Sequence, residues 1–484
     1  MSRRRMPFAR IALTAAAVAA AAVTGLAVSP STGRVVEAVG EPLGSGGEFH
    51  SLAPQRIFDT RDPSLDVVPL GRKAIQPESA GPGFDVTVVG RAGVPAFVDT
   101  DADGFDDNVL AIVANITVIA PTQLGFLRAT PTGVGEGNTS VVNFDARTFV
   151  PNAAILRPGK DGKISIRLVN PTAVGAADIA IDISGWISTS QVPTRGSRMI
   201  PVNPVRLYDS DLAQFGATPV GARGQIDVPI RGAVDPVAPG AAVVPNDADV
   251  VGVVVNITGA NWFPASRPTY VTALPDRLAP GVDPTTSTLN LQPGQVRANT
   301  AIMPVGADGA IHLFNLDGSV RLIVDVMGYL LDGEPADTRA GRVIPLVAPF
   351  RAFDTRAPEF FSQPLGPASA EDWSFQAFVN DVKIQGQAVG NQAGLLGNFT
   401  ATNLQRQYAS APAKTFMTAY PTPTDGSTKP PVISNLNLDE GETVPNLTLL
   451  RYGGDASDPY KVRFYNLGGY VDYLLDVYAV ILAD

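Results

Sequence analysis

The octapeptide PQRIFDTR at Pro54–Arg61 returns as PVRLYDSD at Pro204–Asp211 and as PFRAFDTR at Pro349–Arg356. The steps are 150 and 145 residues, a spacing of domain size, so the 484 residues read as three copies of one unit and not as one large core. Other landmarks keep this spacing. VANITV around Asn115 is echoed by VVNITG around Asn256 and more loosely by GNFTAT around Asn398. FLRATPTG, YVTALPD and FMTAYPTP follow, then VVNFDARTFVPNAAI, TLNLQPGQVRANTAI and NLNLDEGETVPNLTL. Each copy closes on an apolar run, IAIDISGWI, RLIVDVMGYL or YLLDVYAVI. A solenoid fits poorly, because its repeats are only about 20 to 50 residues long.

Within a copy, runs of five to ten apolar residues rich in Val, Ile and Thr alternate with turn signals, and the chain carries 47 Gly and 42 Pro. That pattern predicts strands and turns, not long amphipathic helices. The expected fold is all-β: three tandem antiparallel β-sandwich domains of about eight strands each, at 51–188, 199–332 and 343–484. The linkers TSQVPTRGSR and GEPADTRAGR join them.

Residues 1–29 place four arginines ahead of an Ala/Val-rich run and then small residues, the order of a secretory signal peptide. Cleavage is expected near Ala27 to Ser29, and 30–50 reads as a flexible leader. The alternative is a retained anchor, but the run is mostly alanine and near the lower length limit for crossing a bilayer. The arginines leave both the Sec and twin-arginine routes open. The chain has no Cys, which removes disulfides and thiolate metal sites even from an exported protein. Loss of the four arginines takes the formal charge from -10 to -14, unsuited to nucleic acid or an anionic membrane.

The R-x-F-D-T-R opening, the N-[IV]-T run, the paired asparagines and the closing D-V-x-G-Y together resemble a repeat of secreted actinobacterial proteins, sometimes appended to extracellular peptidases or muramoyl-amidases. The resemblance spans nearly all of the mature chain. It implies a secreted, extracellular and accessory role, because such repeats have no assigned chemistry. The third copy departs most, with YAV where the others have SGW or MGY.

Each copy carries an arginine near its start (Arg56, Arg206, Arg351) and an aspartate in its last run (Asp182, Asp325, Asp476). In RLIVDVMGY, alternation puts Asp325 with Ile323 and Met327 on one face and Leu322, Val324 and Val326 on the other. Both faces are apolar, so the carboxylate is expected to be buried and to need the recurring arginine as a bidentate partner. Asp59, Asp209 and Asp354, three residues after those arginines, are expected to cap turns. A functional alternative gathers these carboxylates with Asn115, Asn143, Asn152, Asn170 and their counterparts into three sugar-binding clefts.

The first copy alone contains DTDADGFDDNVL. Asp99, Asp101, Asp103 and Asp107 occupy positions one, three, five and nine of a calcium loop, with Gly104 at the sharp turn and the Phe105 carbonyl at position seven. Position twelve is Leu110 instead of the bidentate glutamate of an EF-hand, so Asp106 or a distant residue would complete the shell. The alternative is a solvated acidic hairpin tip. One Ca2+ is expected, as a fastener of a long insertion.

Only His50 and His312 could serve histidine-based catalysis, and neither sits beside a nucleophile motif. The leading expectation is a non-catalytic cell-surface or adhesion protein with a structural calcium site. The runner-up is a carbohydrate-binding module array acting on cell-wall or environmental glycan, and a carboxylate-based hydrolase comes third. Its partners would be cell-envelope glycan or another surface protein, and exposed Trp or Tyr platforms would favour the glycan reading.

Overall fold

The computed structural model describes residues 47–484 except 66–70, 82, 136, 237–239, 264–265, 335–336, 361–362, 385–386 and 404–413, together with the backbone of 26–28 and 36–37. Of the segments read as signal peptide and leader, 1–25, 29–35 and 38–46 lie outside the described residues. Almost all regular structure is strand, as the Val, Ile and Thr runs require. Among the described residues no helix is long and apolar enough to cross a membrane.

The middle unit shows the plan most simply. Its strands are β1 (Arg198–Asp209), β2 (Gly224–Pro229), β3 (Val250–Ala260), β4 (Thr269–Leu274), β5 (Leu289–Leu291), β6 (Val296–Pro304), β7 (Ala310–Asn315) and β8 (Arg321–Leu331). They pair in the orders β1-β8-β3-β6 and β2-β7-β4-β5, two four-stranded antiparallel sheets. First and last strands lie side by side while their neighbours in sequence cross to the other sheet, which is the jelly-roll arrangement. Unit 1 repeats the first order with Glu48–Asp59, Ala176–Ser188, Val109–Ile119 and Phe149–Leu156, and unit 3 with Val343–Asp354, Val471–Leu482, Gln392–Asn403 and Thr443–Arg451. Unit 1 adds Lys73–Gln76, bonded to both of its sheets, and unit 3 adds the helix Gln376–Asp381.

The strands carrying N-[IV]-T are apolar on both faces, and the packing shows why. Ile112, Ala114, Ile116 and Val118 point into the core of unit 1, while Ala111 and Val113 point away from it. The outward set joins Ala153 and Ile155, then Val254 and Ile302 of unit 2 and Leu396, Leu447 and Leu449 of unit 3, in one shared apolar cluster. The first sheets of the three units thus face each other around a common centre. Each is buried on both sides, which removes more apolar area from water than a free-standing sandwich can.

The leader expected at 30–50 is corrected at its end. Glu48–His50 are the first residues of a long strand, and Phe49 is fully buried in the shared cluster. Val36–Glu37 also pairs, with Val382–Ile384. Glu48 accepts from half-exposed Arg195 at 2.8 Å and lies 3.3 Å from buried Arg198, so a charge cluster pins the start of unit 1 to the junction with unit 2. Burial, and then neighbouring Arg342, push Arg198 down to about 10.

Candidate functional site

The recurring arginines and aspartates meet in every unit. Arg56 donates to Asp182 at 2.8 and 3.1 Å, and Arg206 to Asp325 at 2.9 and 3.4 Å. Arg351 binds Asp476 through both Nε and a terminal nitrogen. Each pair joins the first strand to the last, where Asp182, Asp325 and Asp476 lie directly opposite their arginines. Burial works against each guanidinium, but the paired carboxylate prevails and holds the three arginines above their ordinary pKa.

Asp59, Asp209 and Asp354 cap the following turn, accepting the backbone N–H two residues on at 3.0, 3.0 and 3.1 Å. They also receive a second arginine that sequence spacing did not disclose. In units 1 and 3 it is Arg61 and Arg356 from the turn itself, each at 2.7 Å. In unit 2 that turn position is Asp211, and Arg321 of the closing strand takes over, 2.7 Å from Asp209 and 3.1 Å from Asp211. The residues matching Arg321 in the other units are Asp178 and Asp472. The two positions have exchanged charge.

The asparagines expected in sugar clefts are mostly committed elsewhere. Asn115 donates to the Ser287 carbonyl of unit 2 at 2.7 Å, Asn256 to Ser434 of unit 3 at 2.6 Å, and Asn398 back to Ser140 of unit 1 at 2.7 Å. Asn299 donates to Asn115, Asn446 to Asn256 and Asn152 to Asn398, at 2.9, 2.8 and 2.9 Å. The oxygens of Asn299, Asn446 and Asn152 then accept the backbone N–H of Ala153, Thr300 and Leu447. The three interfaces are equivalent and close head to tail into a ring with pseudo-threefold symmetry. Asn143 bonds Ser140, and Asn170 ties down a loop through the Leu124 and Val174 carbonyls. The sequence signal for the ring was the doubly apolar N-[IV]-T strand. A repeated asparagine does not say whether its partner lies in its own copy or the next.

The acidic loop precedes Val109–Ile119. Asp99, Asp101 and Asp103 bring carboxylate oxygens within 4.8 Å of one another. Asp99 also accepts from the N–H of Asp103 and Gly104, and Asp103 from that of Phe105 at 2.7 Å. Asp107, expected as a fourth ligand, does not join them. Thr100 holds it through N–H and hydroxyl at 2.8 and 2.6 Å, which lowers its pKa. Asp106 caps the start of the strand, accepting from Asn108 and Val109 at 2.8 and 2.7 Å. The Phe105 ring lies 4.8 Å from the Arg157 guanidinium. Three converging hard oxygens are of the ligand type that a divalent cation such as calcium takes.

His50 stacks on Trp186 at 4.0 Å, and burial lowers its pKa. His312 Nδ1 lies 2.6 Å from Asp227 and its Nε2 3.3 Å from Asp308.

No family model matches this chain, and no curated protein does. Among solved structures it is similar to the N-terminal CBM22-1–CBM22-2 tandem domain of Paenibacillus barcinonensis Xyn10C, at 12% identity over 59% of this chain and 99% of that one, TM-score 0.15. It is also similar to an archaeal virus protein described by its triple jelly roll fold and turret assembly, at 9% identity over 93% and 98% of the two chains, TM-score 0.15. Likenesses of this grade add nothing to the sandwich architecture already described.

Proposed function

We propose that the chain is a secreted, non-catalytic protein of the cell-surface or adhesion type, built as one closed three-lobed body. The observation that supports this is the fate of the repeated polar residues. A shared catalytic site or three equivalent glycan clefts would require them to face a cavity, whereas the arginines, aspartates and central asparagines bond within the sheets and across the ring. Calcium at Asp99, Asp101 and Asp103 acts in this reading as a fastener of the unit 1 loop, with the Phe105 carbonyl completing the shell and Asp107 joining once released by Thr100. Its partners are cell-envelope glycan or another surface protein. Incubating the mature chain with cell-wall polymers and assaying for soluble fragments tests the reading: binding without fragment release is expected, and sustained release abolished by a single carboxylate substitution would overturn it.

A further inference from the structure

The chain has three tryptophans, and two are interior: Trp186 is 5% exposed and Trp373 1%, but Trp262 is 49% exposed. Its loop is anchored by Asn261, which donates through its backbone to Gln295 at 2.9 Å and through its side chain to the Arg267 carbonyl at 2.7 Å. The guanidinium carbon of Arg321 sits 6.0 Å from the indole centroid. That guanidinium is immobilised by Asp209 and Asp211, and the Asp211 side chain is itself 44% exposed. A half-exposed indole with a fixed donor over its ring therefore lies one ion pair away from an accessible acceptor. The combination belongs to unit 2 alone: unit 1 has Pro121 six residues after its Asn115, where Trp262 follows Asn256, and units 1 and 3 place Arg61 and Arg356 where Asp211 stands.

We propose that Trp262, Asp211 and Arg321 form a binding subsite for a neutral saccharide. A pyranose ring has an apolar C–H face, which the electron-rich indole face complements, and an edge of hydroxyls that both donate and accept. Asp211 accepts from such hydroxyls, and the guanidinium donates to them. The exposed charges come in opposite pairs, Arg321 with Asp211 and Arg267 with Asp317 at 3.7 Å, so an ion gains little here over an uncharged hydroxyl-rich ligand. One ring and a few hydrogen bonds give weak affinity, with Kd of roughly 0.1 to 1 mM. The inference rests on the non-catalytic reading and narrows its glycan partner to one site on unit 2.

Because Trp262 is the exposed fluorophore, acrylamide quenching reports on it in the intact mature chain. The probes are β-1,4-linked hexamers of glucose, xylose, mannose and N-acetylglucosamine, with polygalacturonate as the charged comparison. At least one neutral hexamer is expected to halve the quenching saturably. Calorimetry should show that binding lost in Trp262→Phe and weakened about fivefold in Asp211→Ala, with unchanged thermal midpoints. Unaltered quenching by all four hexamers at about 10 mM, tighter binding of polygalacturonate, or full binding by Trp262→Phe would each overturn the subsite. Shortening of a bound hexamer, read by mass spectrometry, would instead overturn the non-catalytic reading and leave the subsite standing.

Discussion

Units 1 and 3 close their first turn with an arginine on the turn and an aspartate on the closing strand; unit 2 does the same with the charges reversed. Arg61 and Arg356 face Asp59 and Asp354 from the turn, whereas Arg321 reaches Asp209 from the last strand while Asp211 takes the turn. What the fold requires there is a cation against the capping aspartate, from either side. The reversal also changes what solvent meets. Units 1 and 3 show a half-exposed arginine, and unit 2 shows a half-exposed aspartate paired to the arginine that lies over Trp262.

The clasps beneath the turns do not differ in sign between units, so breaking them should produce the largest and most uniform loss. Asp182→Ala, Asp325→Ala and Asp476→Ala each take the buried bidentate partner from a half-buried arginine, leaving it only Asp59, Asp209 or Asp354, and should destabilise the chain by about 3 kcal/mol in denaturant titrations, the low end for breaking a buried pair. A much smaller loss in unit 2 would show that Arg321 supports its turn without the clasp. Next in size is the swap itself. Arg321→Asp gathers three carboxylates at one turn and should lower stability by about 2 kcal/mol, whereas Arg321→Asp with Asp211→Arg rebuilds the unit 1 pattern and should recover most of it. Failure of the double variant to recover would mean that the two arrangements are not interchangeable.

Calcium should act on unit 1 only, because the Asp99 cluster has no counterpart in the other copies. At ten times its Kd it should add roughly 1.4 kcal/mol to the intact chain, seen as a calorimetric shift that chelator or Asp101→Ala with Asp103→Ala removes. The smallest effect separates the units by pH. Burial alone would raise Asp59 and Asp354, but Arg61 and Arg356 outweigh it and hold both below the ordinary carboxylate value of 3.8. A depressed folded pKa contributes stability that is fully present above about pH 4 and is lost as pH falls through the folded value. Arg61→Gln and Arg356→Gln should therefore reduce stability at pH 6 and flatten its decline below pH 4.

Much of this was legible because recurrence marks what every copy needs. The all-β sandwich plan, the Arg–Asp clasps and the turn caps all follow from residues repeating at one spacing. Recurrence fails where the copies diverge: Arg321 does not share the spacing of Arg61 because the charge moved to another strand, and Trp262 has no counterpart to draw attention to it. It also fails where the partner lies in another copy, as Asn115 does with Ser287. Spacing also counts oxygens but not competitors: Asp107 is held by the Thr100 N–H and hydroxyl, a partner that the D-x-D-x-D pattern does not announce.

The ring has an order of assembly written into its chain connectivity. The asparagine side-chain bonds between units 1 and 2 join residues 146 to 184 positions apart, but those closing unit 3 onto unit 1 span 246 to 295. The longer span adds well under about 0.6 kcal/mol of closure entropy, so the final interface is nearly as favourable as the others at equilibrium. In time it is different. At about 5 to 20 residues per second, the Asn152 side chain waits roughly 10 to 50 seconds for Asn398 to be synthesised. Until then the inward faces of the first two lobes are exposed apolar surface, and a chain stalled before its third lobe is a sticky, half-closed intermediate that holding factors must shield.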